Sequence, residues 1–240
     1  MTRSLRVLIG CETSGVMRRA FAALGHDVWS CDLLPAEDAT NRHLVCDIRD
    51  VLDGGWDLLA VMHPPCTRLC NSGVRWLSAP PKNLGEGYSL EQRLAFARMS
   101  EADRLAFMWK ALDDGAALFS SCWNAPIDRV VMENPVMHRH AKERIVNYAP
   151  PAQTVQPWWF GDPAFKATSF YLRGLPKLVP TNRLRPPKAG TDAHKEWSAI
   201  HRAPPGRDRW KVRSRTFPGI AAAAAAQWGG YAEKLVEAAE

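Results

Sequence analysis

The chain has 240 residues, 46% hydrophobic and 23% charged, enough for one good core with a small appendage. Its net charge of +6 is unevenly spread: residues 166 to 215 hold thirteen Lys or Arg against Asp192, Glu196 and Asp208, a net +10, which leaves −4 on the rest. No apolar run approaches the roughly 18 residues a membrane span needs, and Met1-Thr2-Arg3-Ser4-Leu5-Arg6 leads straight into an apolar stretch, so a cytoplasmic protein with no membrane partner is expected.

Apolar runs and helical patterns alternate along the chain. Arg6-Val7-Leu8-Ile9-Gly10 reads as a buried first strand, and Ser14 to Leu24 as a helix with Val16, Ala20, Phe21 and Leu24 on one face, closed by Gly25. His26 to Asp32 is the second strand, Leu44 to Ile48 a short third and Leu58 to Met62 the fourth, a βαβ series that predicts a parallel sheet. Ser89-x-x-Gln92 is a capping box that opens a helical stretch to Asp114, with a break near Ser100. The fifth strand spans Arg129 to Met132, and Thr154 to Gln156 and Thr168 to Leu172 are two more candidates. A Pro-rich basic segment then leads to an Ala-rich helix, Ile220 to Gln227. The expected fold class is α/β, a doubly wound, mostly parallel sheet, with residues 1–172 and 216–240 forming the body and 173–215 a basic segment suited to nucleic acid.

Strand ends carry the chemistry of such folds. The first βα turn, Gly10-Cys11-Glu12-Thr13-Ser14-Gly15, has the glycine spacing of a phosphate loop, but Val16-Met17 replaces the Lys-Ser/Thr that would hold phosphate and Mg²⁺. Asp32, at the end of strand two, stands where a carboxylate accepts hydrogen bonds from ribose hydroxyls, and Asp47 is placed to receive an adenine amino group. An adenosine-type cofactor held without phosphate contacts fits this pattern, and S-adenosylmethionine is the candidate; Gly10 and Gly15 also serve tight turns. The fourth strand delivers His63-Pro64-Pro65-Cys66, a thiol in a proline-stiffened loop, and the fifth delivers Glu133-Asn134-Pro135. The six cysteines (Cys11, Cys31, Cys46, Cys66, Cys70, Cys122) do not resemble a disulfide scaffold, and each reads first as a small buried hydrophobe, with Cys66 set apart by its Pro-Pro loop.

In this order, the glycine turn, the strand-two acid, Asp47-Ile48, Pro65-Cys66 and Glu133-Asn134 resemble the DNA cytosine-5 methyltransferases. Gly73, seven residues after Cys66, and Phe160-Gly161-Asp162-Pro163 match further registers of that family, and Thr216 to Gln227 is a looser match to its last motif. The chain is also similar to small phage-encoded cytosine methyltransferase-like proteins, which would place it in the host cytoplasm. The resemblance implies a sheet of the S-adenosylmethionine-dependent, Rossmann-like type, with Gly10, Cys11, Glu12, Gly15, Asp32, Asp47, Ile48 and Pro64 as cofactor contacts. It implies Cys66 as the nucleophile that adds to C6 of cytosine, Glu133 as the acid at the ring, Asn134 as the residue that orients the loop and Pro135 as the one that shapes it, with Pro65 and Pro135 as substrate contacts. DNA is the implied partner, with the target base flipped out, Lys166 and Thr168 on the substrate side, Lys166 keeping a positive charge near the base or the thiolate, and Arg183, Arg185, Lys211, Arg213 and Arg215 of the basic segment holding phosphates.

The departures are specific. Thr67 replaces the family's Gln, Cys70 its Ser, and Ala164, Lys166 and Thr168 stand where the family has Gln, Arg and Arg. The recognition domain shrinks to Arg173–Arg215, so sequence specificity is expected to be short, lax or supplied by a protein partner. Two other readings stay open: an amino-methyltransferase that uses His63-Pro64-Pro65-Cys66 as its amine-binding loop, and a non-catalytic nucleic-acid-binding descendant of the fold. A metal site finds no support, because no second Cys-x-x-Cys or spaced His pair completes it, and His138 and His140 read as a solvated helix start. Trp197 and Trp210 are candidates for base stacking, whereas Trp158 and Trp228 are expected to pack.

Overall fold

The computed structural model describes residues 3–85, 87–204 and 213–238; Trp210 and Lys211 lie outside them. The apolar runs become β1 (Arg6–Gly10), β2 (Asp27–Asp32), β3 (His43–Val45), β4 (Leu58–Val61) and β5 (Val130–Glu133), joined by β6 (Gln153–Val155) and β7 (Thr168–Arg173) in one sheet of order β3-β2-β1-β4-β5-β7-β6. Pairs among β1 to β5 are parallel, and β7 runs antiparallel between β5 and β6. This is the doubly wound, mostly parallel α/β sheet that the sequence predicts. Its strand order turns back at β1 and β4, so the crevice that binds ligands in such sheets opens beyond Gly10 and Met62.

Side chains alternate between two cores, as the period of a strand requires. Leu8, Leu59, Val61, Val130 and Met132 face Met108, Leu112 and Phe119 of α3 (Glu101–Trp123). Val7, Ile9, Leu58 and Ala60 face Phe21 of α1 (Val16–Ala22) and the C-terminal helix. That helix comprises α7 (Pro218–Ala224), a π turn at Ala225–Gly229 and α8 (Gly230–Glu237), and so extends the predicted Ala-rich element at both ends. Trp228 packs as expected: its ring meets Phe170 at 5.4 Å between centroids, and its indole N–H donates to the Pro176 carbonyl at 2.9 Å.

Four elements differ from their predicted form. The capping box does open α2 (Leu90–Ala97), and Ser100 caps α3, but α3 continues past Asp114 and Gly115 to Trp123 because Leu112, Ala116, Phe119 and Cys122 bury one continuous face in the core. β3 stops at Val45, since the Asp47 carboxylate accepts the Arg49 backbone N–H at 2.9 Å and caps a 3₁₀ turn, Ile48–Val51, in place of a strand. The start of α4 (Arg139–Lys142) is not solvated: its cap, His138, is buried. In the basic segment, Thr191 caps α5 (Asp192–Trp197), which is followed by α6 (Ala199–Arg202).

Candidate active site

A cleft of about 440 Å³ opens at the carboxyl ends of β1, β2 and β4. Its lining includes Cys11, Asp32, Asp47, Ile48, His63 and Pro65, with Gly115 and Leu118 of α3 opposite. Gly10 lies beneath this wall: a Cβ there would stand 2.0 Å from Ile48 Cδ1, so only glycine lets Ile48 reach its place. Cys11 holds φ 54°, a left-handed conformation that a non-glycine residue adopts at a cost of roughly 1 kcal/mol, and Gly15 holds φ 66° at the start of α1. Glu12 points the other way. Its carboxylate is buried and accepts the backbone N–H groups of Met17 at 2.8 Å and Arg18 at 3.3 Å, so it caps α1 and supports the turn from behind. Burial pushes its carboxyl up, against the pull of those two amides.

The lining suits an adenosyl group. Asp32 offers a carboxylate whose Oδ1 is braced by the Leu34 N–H at 2.9 Å, and burial pushes its pKa up. Asp47 is paired with the Arg49 guanidinium, which holds its carboxyl low. Arg49, already paired, is the one cation among the described lining residues, so the cleft presents carboxylates and apolar wall and no phosphate cradle.

Beyond β4, Pro64 is buried and Pro65 exposed, and the chain turns at Cys66. The Cys66 carbonyl accepts the N–H groups of Leu69 and Cys70, both at 3.0 Å, which closes one helical turn. The segment after β5 clamps this turn: the His138 N–H donates to the Leu69 carbonyl at 3.0 Å, Nε2 lies 2.7 Å from the Arg68 carbonyl, and Met137 bridges to Cys70. A carbonyl only accepts, so the His138 proton is on Nε2, which leaves Nδ1 to accept the Ala141 N–H at 3.3 Å. Gly73 seals the loop, with a would-be Cβ 1.9 Å from the Thr67 carbonyl oxygen.

The clamp brings the thiol of β4 and the carboxylate of β5 within electrostatic reach of each other. Burial pushes the Glu133 carboxyl up to about 7, against the pull of Lys166. The Lys166 ammonium is lowered by burial and held up by Glu133 and Cys66, so the residue at a predicted arginine position brings a positive charge near both. The neighbouring Cys70, then burial and the Glu133 charge, push the Cys66 thiol up, whereas the neighbouring Cys66, helped by Ser72 Oγ at 3.0 Å from the Cys70 sulfur, draws the Cys70 thiol down. Asn134 is fully buried and its N–H donates to the Ser169 carbonyl at 3.2 Å, yet neither side-chain amide atom has a partner among the described residues. Pro135 follows at partial exposure, its carbonyl 3.4 Å from the Tyr171 hydroxyl.

A second cavity, of about 10 Å³, lies against Glu133 and is lined by His63, Lys166, Thr168 and Thr216 among others; His63 belongs to both cavities and so marks where they meet. Burial, with the Lys166 charge, lowers His63 to about 3, and the neutral ring meets Thr216 Oγ1 at 3.2 Å. Thr168 is buried, its hydroxyl turned to the Lys166 carbonyl at 3.1 Å. Lys166 Nζ donates to the carbonyls of Ser214 and Arg215, both at 3.3 Å, and Arg215 pairs with Glu37. The return of the basic segment therefore crosses the site and ties the approach to β7 and the end of β4 to the loop after β2. Sequence reasoning missed this crossing, which joins residues too far apart for any local pattern.

The other predicted nucleic-acid residues are dispersed. Arg183 and Arg185 are exposed, and Arg183 stacks on Trp159 at 4.9 Å and on Trp158 at 5.8 Å. Arg213 is exposed, and its charge adds to the lowering of Lys166. Trp197 packs on Phe165 at 5.3 Å instead of standing free.

No family profile and no curated protein sequence matches the chain. Among solved structures, Entamoeba histolytica methyltransferase EhMeth is similar at a TM-score of 0.39 and 10% identity, over 76% of this chain and 58% of that one. The chain thus spans less than two thirds of that protein's length, and the likeness carries no weight for function.

Proposed function

We propose that the protein is an S-adenosylmethionine-dependent methyltransferase that acts on C5 of cytosine in DNA through a covalent Cys66 adduct. The observation that carries this reading is the meeting of Cys66, Glu133 and Lys166 beside a carboxylate-lined cleft of about 440 Å³. Asp32, Asp47 and Ile48 hold the cofactor, which supplies an electrophilic methyl group when bound. C5 of cytosine is too weak a nucleophile to accept a methyl group unaided. Cys66 gives up its S–H proton to water as its sulfur adds to C6, and the electron pair pushed through the ring makes C5 nucleophilic; once C5 takes the methyl group, loss of the C5 proton to water breaks the S–C6 bond, which returns Cys66 and restores the ring. Glu133, raised to about 7, keeps a proton near neutral pH that it can share with N3 as negative charge builds there. Lys166 limits the build-up of negative charge between thiol and carboxylate. The basic segment supplies phosphate contacts through Arg183, Arg185 and Arg213, and Lys211 and Arg215 extend them along the chain.

Nucleoside mass spectrometry of DNA from cells that express the wild type or Cys66→Ala tests this reading. Methylcytosine that depends on Cys66 is expected. Absence of any Cys66-dependent change at cytosine, with both proteins folded, would overturn it, and full activity of Cys66→Ser would point to amino-methylation, which needs no thiol.

A further inference from the structure

Two more thiols line the cleft and have no part in the reaction as described: Cys31 of β2 and Cys46, one residue past β3. Their sulfurs lie 3.7 Å apart, and Cys31 Sγ also reaches the Cys46 carbonyl at 3.5 Å. The sheet sets this meeting. β2 and β3 are parallel with Cys31 beside Leu44, and the Cys46 N–H donates to the Asp32 carbonyl at 3.2 Å. Pairing thus continues one residue past β3, and Cys46, two residues after Leu44, returns to the face that Cys31 shares. The two thiols differ in access: Cys31 is fully buried, whereas Cys46 is only partly covered.

Each thiol immediately precedes a carboxylate of the cleft, Asp32 after Cys31 and Asp47 after Cys46. A bond between the sulfurs holds them about 2 Å apart. Closing the present gap pulls the residue after β3 toward the end of β2 and shifts Asp47 relative to Asp32. We propose that Cys31 and Cys46 are a reversible oxidation site: hydrogen peroxide joins them in a disulfide, and the joined form loses its hold on the cofactor. The loss of cofactor rests on the reading of Asp32 and Asp47 as its contacts; the disulfide does not.

Cys46, the accessible partner, reacts first. Its sulfur attacks one peroxide oxygen, the O–O bond breaks, and the second oxygen leaves with the Cys46 proton as water, so Cys46 becomes a sulfenic acid. The Cys31 sulfur then attacks the Cys46 sulfur, the S–O bond breaks, and the hydroxide leaves with the Cys31 proton as a second water. Two thiols and one hydrogen peroxide become one disulfide and two waters; the sulfurs lose two electrons and the peroxide gains them. Exchange with a small dithiol restores both thiols.

The test treats the full-length wild type, Cys46→Ser and Cys46→Ala with hydrogen peroxide, blocks free thiols with iodoacetamide and maps peptides by mass spectrometry without reductant. Titration calorimetry with S-adenosylmethionine is run before oxidation, after it, and after dithiothreitol. In the wild type a peptide pair linked through Cys31 and Cys46 is expected. Affinity should fall about tenfold or more, as for loss of one hydrogen bond to a carboxylate, and dithiothreitol should reverse both changes. The variants, whatever their own affinity, should form no such link and show no further fall on oxidation. Cys31 and Cys46 that stay unlinked, Cys31 linked instead to Cys11, or linked protein that binds as tightly as reduced protein would overturn the proposal. Should both variants fail to fold, the wild-type map and its reversal by dithiothreitol decide. A protein that forms the link but binds no S-adenosylmethionine when reduced would sink the cofactor reading alone.

Discussion

Glu133→Gln should make the protein more stable while removing activity, and its size follows from the burial of the carboxyl. A folded-state value of about 7 against the ordinary 4.5 means that the folded protein binds this proton more tightly than the unfolded chain. Stability is therefore lost as pH rises from 4.5 through about 7, and the full loss, present above pH 7, amounts to about 3 kcal/mol. Gln removes that loss, but it also takes from Lys166 the partner that supports its charge, which returns part of the gain. A net gain of about 2 kcal/mol at pH 8 is expected, which raises Tm by about 4 to 8 °C in a domain of this size. Below pH 4.5 the carboxyl is protonated in both states and the two proteins should converge. Urea denaturation of wild type and variant from pH 4 to pH 8 checks this. A variant no more stable than the wild type at pH 8, or equally more stable at both ends, would refute the claim that Glu133 is kept at a cost to the fold.

Gly10→Ala should push Ile48 into the cleft and weaken S-adenosylmethionine binding by about tenfold or more at a strain of ~1 to 3 kcal/mol, measured by titration calorimetry on folded protein. Gly73→Ala should force the Thr67 carbonyl away, costing a similar ~1 to 3 kcal/mol in denaturation and a larger share of activity, because the displaced turn carries Cys66. Arg183→Ala and Arg185→Ala should each weaken DNA binding without regard to sequence and lower the slope of log affinity against log salt by about 1, read from fluorescence anisotropy at several salt concentrations.

Much of the fold was legible because it depends on local pattern. The runs at Arg6–Gly10, Leu58–Val61 and Val130–Glu133 are apolar on both faces, which marks central parallel strands, and Ser89-x-x-Gln92 marks a helix start by its own hydrogen bonds. Errors fell where a side chain competed with the backbone or where packing overrode propensity. Asp47 ends β3 by capping the next turn, and Gly115 stays within α3 because the buried face of Leu112, Ala116 and Phe119 runs on past it. The cleft brings Cys11, Asp32, Asp47 and Ile48 together as strand-end reasoning expects, but Glu12, next to Cys11 in sequence, turns away to cap α1. The crossing of Ser214, Arg215 and Thr216 over Lys166 and His63 joins segments about fifty and one hundred and fifty residues apart, and no periodicity encodes it.

The central claim is that Cys66 bonds to the target base, and the most direct measurement traps that bond. An oligonucleotide with 5-fluorocytosine cannot lose fluorine in the elimination that releases the enzyme, so a cysteine that adds to C6 stays attached. In the presence of S-adenosylmethionine, the account predicts a denaturation-resistant protein–DNA species that peptide mass spectrometry maps to Cys66 and that Cys66→Ala abolishes. Methyl transfer to ordinary cytosine with no such adduct, or an adduct that survives in Cys66→Ala, would contradict it.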